Sequence, residues 1–237
     1  MGTEPNVYSP KWFEFFHTDT EEARTNQEAL FVATCAPLPE FRKILDVCCG
    51  MGRHARALSK LGYSVIGIDR DADIIAQARK RGDGPDYVIA DIRDYKPDPG
   101  AFDVVVVMSQ SFGYFDAEVN RDVLRRFANG LRKGGRVILD LWNPDFFAAH
   151  QSERDLKTPR GIVRENKSIK GDRLFVDLKY PGGQREQFEW QLFSPAQMTE
   201  LARSVGLALL VSCTDFDIKM VASPAHPRIQ FVLERKL

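Results

Sequence analysis

Three aspartates and a pair of glycines are spaced so that they could seat a hydroxyl-bearing, partly charged ligand. Ile44-Leu45-Asp46-Val47-Cys48-Cys49-Gly50-Met51-Gly52 reads as an apolar strand ending in a carboxylate, followed by a loop whose glycines fall where a helix begins. Gly50 and Gly52 carry no Cβ, so backbone can approach a ligand, and the helix start offers free N–H groups to ligand oxygens. Taken alone, the same loop could be a mere tight turn, the lesser of the two readings. A second strand, Val65-Ile66-Gly67-Ile68-Asp69, ends in an acid about 20 residues later, where a carboxylate can accept both ribose hydroxyls. A third, Val88-Ile89-Ala90-Asp91, places another acid at the same edge, with an adenine amino group as its expected partner. Together these residues describe the seat of an adenosine-containing cofactor.

The elements that must position them alternate. Short continuous apolar runs mark strands covered on both faces, at Lys43 to Val47, Ser64 to Asp69, Asp86 to Ala90, Phe102 to Met108 and Arg136 to Leu141. Between them lie helical patterns from about Gly52 to Leu61, Asp71 to Arg81 and Glu118 to Leu131, so the units are βαβ with right-handed crossovers in a parallel sheet. After Trp142 the pattern becomes alternating, with Gly161 to Ile169, Arg173 to Tyr180 and Arg185 to Phe193 reading as an antiparallel meander. A helix from about Pro195 to Val205 and strands Ala208 to Thr214 and Ile229 to Arg235 close the chain. At the start, an aromatic cluster of Tyr8, Trp12, Phe13, Phe15 and Phe16 precedes a helix over about Thr20 to Thr34.

The 237 residues read as one domain: an N-terminal lid and helix (1–36), a cofactor-binding core (37–145), a meander insertion (146–194) and a final helix and strands (195–237). At this length a chain buries about 70% of its unfolded surface and needs no disulfide or metal. Lys plus Arg and Asp plus Glu both total 33, which gives no net charge to attract nucleic acid or a membrane surface. No apolar run reaches the ~20 residues of a membrane span, and the first ten residues lack a signal-peptide pattern, so the expected location is the cytoplasm. The vicinal pair Cys48-Cys49 cannot bridge without strain, and no Cys/His spacing resembles a metal site.

These residues resemble a known family, the class I S-adenosylmethionine-dependent methyltransferases. Asp46-x-Cys48-x-Gly50-x-Gly52 is similar to its D-x-G-x-G-x-G signature, with Cys48 where the first glycine is usual. Asp69 resembles its ribose-binding acid, Asp91-Ile92 its adenine contact, and Leu131-Arg132-Lys133-Gly134-Gly135 its L-x-P-G-G turn, with Lys133 in place of Pro. Ser111-Phe112-Gly113-Tyr114-Phe115, the meander, Asp215-Phe216-Asp217 and Ser223-Pro224 to Arg228 resemble a bacterial subgroup that includes small-molecule and sugar-amine N-methyltransferases. The resemblance implies an α/β fold, Rossmann-like and doubly wound, its mostly parallel sheet ending in an antiparallel last strand and carrying the added meander. It also implies S-adenosylmethionine as cofactor, methyl transfer to a nitrogen or oxygen of a small molecule, and a monomer or homodimer.

On that footing Arg70, Met108 and Gln110 join the acids and loop residues as cofactor contacts, and Arg24 could reach the cofactor's carboxylate or simply be solvated on its helix. His17, in the aromatic segment, is the first candidate for a base and Tyr114 the second. A surface histidine and a ring packed under the meander are the plain alternatives. Asp215 could neutralise an ammonium substrate or cap a turn. Tyr8, Trp12, Phe16, Phe112, Trp142 and Trp190 could wall the acceptor pocket or be core, and His54 reads as packing.

Other classes stay open. A dehydrogenase would want G-x-G-x-x-G, but Ala55 at the third position is tolerated in that pattern, and it is Asp46 and Asp91 that favour the methyltransferase. A nucleic-acid base methyltransferase usually shows N-P-P-Y after strand four, whereas Asn143-Pro144-Asp145-Phe146 follows strand five. A protein that binds the cofactor without turnover is the third alternative.

Overall fold

A computed structural model describes residues 6, 8–16, 22–82 and 84–236. An eight-stranded sheet runs in the order β11-β10-β12-β5-β4-β1-β2-β3. Its strands are β1 (Lys43–Val47), β2 (Ser64–Asp69), β3 (Asp86–Ile89), β4 (Phe102–Val107), β5 (Leu131–Trp142), β10 (Leu207–Thr214), β11 (Asp217–Val221) and β12 (Arg228–Arg235). The first five pair in parallel, and β12 lies antiparallel between β5 and β10. β1 pairs with β2 on one side and β4 on the other, so the chain winds away from β1 in both directions. Connections there leave the carboxyl edges of β1 and β4 uncovered, the place where open α/β sheets bind ligands.

Both faces of the sheet are buried, which is why its strands are continuously apolar rather than alternating. Leu45, Val47, Val105 and Val107 pack with Val123, Leu124 and Phe127 of α5 (Ala117–Gly130) and Met198 of α7 (Pro195–Ser204). Ile44, Val104 and Val106 face the other way, onto Phe31 of α2 (Glu22–Cys35), Leu58 of α3 (Arg53–Lys60) and Ile75 of α4 (Ala72–Lys80). Helix starts are set by local chemistry. Asp71 accepts from the Asp73 and Ile74 amides, Asp116 from Val119, and Ser194 and Gln197 form a reciprocal capping box. α3 differs: its N-cap is Gly52, at φ 75°, with no side-chain cap.

The meander is a separate four-stranded antiparallel sheet, β6 (Glu153–Thr158), β7 (Gly161–Lys170), β8 (Arg173–Lys179) and β9 (Arg185–Gln191), one strand larger than expected. It builds a third core from Val163, Leu174, Val176, Phe188 and Trp190, against which α1 (Pro10–Phe16) lays Phe15 and Phe16. β6, β11 and the short α6 (Pro144–Ala149) have no counterpart in the sequence reading. β11 is exposed at every residue and β6 at most, so neither has the buried alternate positions that announce a strand. The start expected for α2, before Glu22, falls outside the described residues.

The two sheets meet at Gly113, whose carbonyl accepts the Gln191 N–H at 2.7 Å. Gly113 sits at φ +97°, and a Cβ there would lie 2.6 Å from the Gln191 carbonyl oxygen, so no other residue fits. Gly113→Ala should therefore cost about 2 kcal/mol or more in urea unfolding. An unchanged midpoint would mean that this joint is not held as described.

Candidate active site

A cavity of about 390 Å³ opens at the carboxyl edges of β1, β2 and β4. The loop after β1 forms its floor. Cys49 N donates to the Ile68 carbonyl (3.0 Å), Gly52 N to the Cys49 carbonyl (2.9 Å) and Gly50 N to Asp69 Oδ2 (3.0 Å), which locks the loop to β2. Cys48, Gly50 and Gly52 all take left-handed φ values, 55°, 55° and 75°. A Cβ on Gly50 would meet nothing within 4 Å, so this residue presents bare backbone to open space. Gly52 has a different reason: a Cβ there would lie 2.1 Å from the Tyr87 hydroxyl, and it is packing rather than ligand approach that demands glycine. Cys48 carries a side chain in a conformation costly for one, and its thiol lines the cavity.

Asp46 lies beneath this loop, 1% exposed, and its Oδ2 has no hydrogen-bond partner. Burial pushes its pKa up to about 7, against the pull of the Arg53 guanidinium and the Ala55 N–H and with a further push from Asp69. Asp69 accepts from Gly50 N and, at 3.1 Å, from Asp71 N, which leaves lone pairs toward the cavity. Asp91 is gripped by Arg93 through Nε (3.0 Å) and Nη2 (2.7 Å), and this fork keeps its pKa low despite partial burial. Arg93 also lies over the Phe115 ring, 5.2 Å from its centroid, beside Ile92 on the cavity wall.

Asn6 lies across this edge. Its side-chain amide donates to the Glu189 carbonyl and accepts the Glu189 N–H, both at 2.8 Å, and so pairs with edge strand β9 as another strand's backbone would. Arg70 Nη2 donates to the Asn6 carbonyl at 3.1 Å. Tyr8 follows, its hydroxyl 2.8 Å from that of Tyr114. Burial raises both phenol pKa values, that of Tyr114 to about 12, so both stay protonated at neutral pH. Tyr114 therefore does not meet the requirement for a base near neutrality; it is a neutral hydrogen-bonding group.

The structure brings Asp46, Cys48, Gly50, Asp69, Arg70, Asp91, Ile92, Met108, Tyr8, Trp12 and Tyr114 onto one cavity wall. Other expected site residues lie elsewhere. Arg24 points to Glu28 (3.3 Å) with its side chain 54% exposed, outside the cavity lining. Gln110 turns its amide onto Asp140 (2.8 Å). Phe112 is core, packed on Phe193 with ring centroids 5.6 Å apart. Phe16, Trp142 and Trp190 belong to the third core. Asp215 is an exposed turn residue whose carbonyl accepts from Gln27 (3.2 Å). His17 lies outside the described residues.

Arg53 and His54 were missed as site residues, and both line the cavity. Arg53 reaches Ser109 Oγ at 2.7 Å and, at 2.5 Å, Glu28, which is fully buried. His54 Nε2 lies 2.7 Å from the same carboxylate. Burial would raise the pKa of Glu28, but His54, Arg53 and Arg228 pull it far below the usual carboxylate range. Burial lowers that of His54 despite its bond to Glu28, so the neutral ring donates Nε2–H to the carboxylate. The only sequence signal was a basic pair, Arg53-His54, in the first turn of a helix, where acids are normally favoured.

The described residues fit a cofactor bearing an ammonium, a carboxylate and a ribose. Asp46 supplies an unpaired buried oxygen, Gly50 an open backbone cradle, Asp69 free acceptor capacity and Arg53 a guanidinium. Residues 44–135 match the methyltransferase domain family. The chain is 31% identical over 175 residues to a ubiquinone biosynthesis O-methyltransferase of Thiobacillus denitrificans, a match spanning 70% of this chain and 74% of the relative. It is 28% identical over 186 residues to a dTDP-3-amino-3,6-dideoxy-alpha-D-glucopyranose N,N-dimethyltransferase of Streptomyces fradiae, covering 72% of each. Its fold is shared with the SAM-bound amino pentose methyltransferase CalS10 of Micromonospora echinaspora, with TM-score 0.72 and 16% identity over 99% of this chain and 100% of that one. The chain belongs to the class I S-adenosylmethionine-dependent methyltransferases, and S-adenosylmethionine is its cofactor.

Asp46 makes a signed prediction. Its folded pKa of about 7 lies above the unfolded value, so its ionisation opposes folding, and stability falls as pH rises from about 4 to about 7. Asp46→Asn should remove that slope, at most about 1.4 kcal/mol per pH unit. In melts without cofactor the variant should gain on wild type between pH 4.5 and 8; a gap independent of pH would refute the assignment.

Proposed function

We propose that the chain transfers the methyl group to a nitrogen of a small-molecule acceptor held among Tyr8, Trp12, Tyr114 and Phe115. The reading rests on the neutral Tyr8–Tyr114 pair at the cavity wall. The cofactor supplies a methyl on a cationic sulfur, and its transfer disperses that charge, which a dry aromatic enclosure favours over water. An oxygen acceptor has to lose its proton to a base poised near neutrality; the two phenols held protonated at this wall do not serve, and Asp46, whose pKa is about 7, lies beneath the loop proposed to seat the cofactor. An amine brings its own lone pair, and burial lowers its pKa and so favours the free base. Tyr114 then orients the acceptor by hydrogen bonding, and proximity does the rest.

The Streptomyces relative is named for transfer to a sugar amine and the Thiobacillus relative for transfer to an oxygen; the protonated phenols favour the former. Arg53, with Ser109 beside it, is the proposed partner of the cofactor's carboxylate, in place of Arg24. The absence of net charge supports a diffusible acceptor rather than a nucleic acid, and the proposed setting is the cytoplasm.

Release of S-adenosylhomocysteine should be stimulated by members of a panel of amines, amino sugars included, and not by phenols. The opposite selectivity would overturn the nitrogen assignment. With the best amine, Tyr114→Phe should lower kcat by less than about tenfold, because loss of a true general base costs about a hundredfold or more.

A further inference from the structure

We propose that Asp140, on β5, is a positioning residue for methyl transfer: it holds the Ser109–Gln110 turn in the conformation that walls the cavity. The proposal rests on the methyltransferase reading above. β4 ends at Val107, and Met108, Ser109 and Ser111 after it all line the cavity. Ser109 and Gln110 are both left-handed, at φ 55° and 60°, although neither is a glycine. Two such residues in succession persist only where their surroundings dictate them.

Asp140 supplies those surroundings. Its carbonyl accepts Gln110 N at 2.9 Å, and its Oδ2 accepts Ser109 N at 2.9 Å and Gln110 Nε2 at 2.8 Å. The carboxylate is itself fully buried, and Gln230 Nε2 (2.8 Å) and the Arg228 guanidinium, both from β12, fix it from behind. On its other side the turn is gripped by Trp190, whose indole donates to the Gln110 carbonyl at 2.9 Å, and by Arg53 on Ser109 Oγ. Asp140 does not itself line the cavity, so any effect on the reacting groups passes through the turn. Every neighbour of Oδ2 named here is a donor, so an amide placed there turns an N–H against N–H groups or loses an acceptor, with no change in volume.

The test is Asp140→Asn, read in two ways that need no acceptor. Calorimetry gives the ratio of S-adenosylmethionine to S-adenosylhomocysteine affinity, which reports the methyl end alone, and that ratio should change at least fivefold. By NMR, hydrogen exchange of the Trp190 indole should quicken at least tenfold while that of Trp142, which has no bond to the turn, keeps its rate. A folded variant with the wild-type ratio and wild-type Trp190 exchange overturns the proposal, as does equal quickening at Trp142, which marks general loosening. Should the single variant not fold, Asp140→Asn with Arg228→Gln removes both charges together and carries the same readouts. Wild-type protein that binds neither ligand refutes the methyltransferase reading, and this proposal with it.

Discussion

Arg228 sits with its guanidinium between two fully buried carboxylates, Glu28 of α2 and Asp140 of β5, and the cavity's shape depends on that bridge. Both acids are buried and accept from this guanidinium, and Glu28 is held by Arg53 and His54, from the first turn of α3, as well. Asp140 takes the turn after β4. One cation from β12 thus ties together α2, α3, β4 and β5. The desolvation of these groups is steep, and removing one partner of such a set costs about 3–5 kcal/mol because a buried charge is left alone. Fold stability and site geometry are therefore the same interaction seen from two sides.

The cavity itself follows from strand order. Winding outward from β1 leaves the β1 and β4 edges open, and Asn6 and the second sheet cover them from above. The cover carries aromatic rings, whereas the floor carries carboxylates and backbone. On the function proposed above, this arrangement separates the polar hold on the cofactor from an aromatic compartment for the acceptor. The high pKa values of Tyr8 and Tyr114 are the electrostatic trace of their burial.

The parallel core was legible in the sequence because doubly buried strands such as β1 and β4 are continuous apolar runs with acids and glycines at their ends. That these acids share one cavity was legible for the same reason: Asp46, Asp69 and Asp91 are local features of strand ends, readable without knowing what lies opposite. Edge strands β6 and β11 were not, since solvent on most of their residues leaves no pattern. Nor was the Glu28–Arg228–Asp140 bridge, whose members are up to 200 residues apart, so that no local pattern links them. Aromatic residues divide in the same way. Tyr8, Trp12 and Tyr114 reach the cavity, while Phe16, Phe112, Trp142 and Trp190 pack in cores, a distinction set by tertiary packing alone.

The irregular position, Cys48, holds a left-handed φ that a glycine would take without strain, yet the loop around it still bonds β2, through Cys49 N to the Ile68 carbonyl and Gly50 N to Asp69 Oδ2. On the proposed reading, what the floor requires is the carboxylate at Asp69 and the open face at Gly50, more than a complete set of glycines. Titration of S-adenosylmethionine into Asp69→Ala tests this most directly. Loss of a charged hydrogen bond of about 1.5–3 kcal/mol should weaken binding by an order of magnitude or more. Affinity equal to that of the wild type would contradict the placement of the cofactor on this loop.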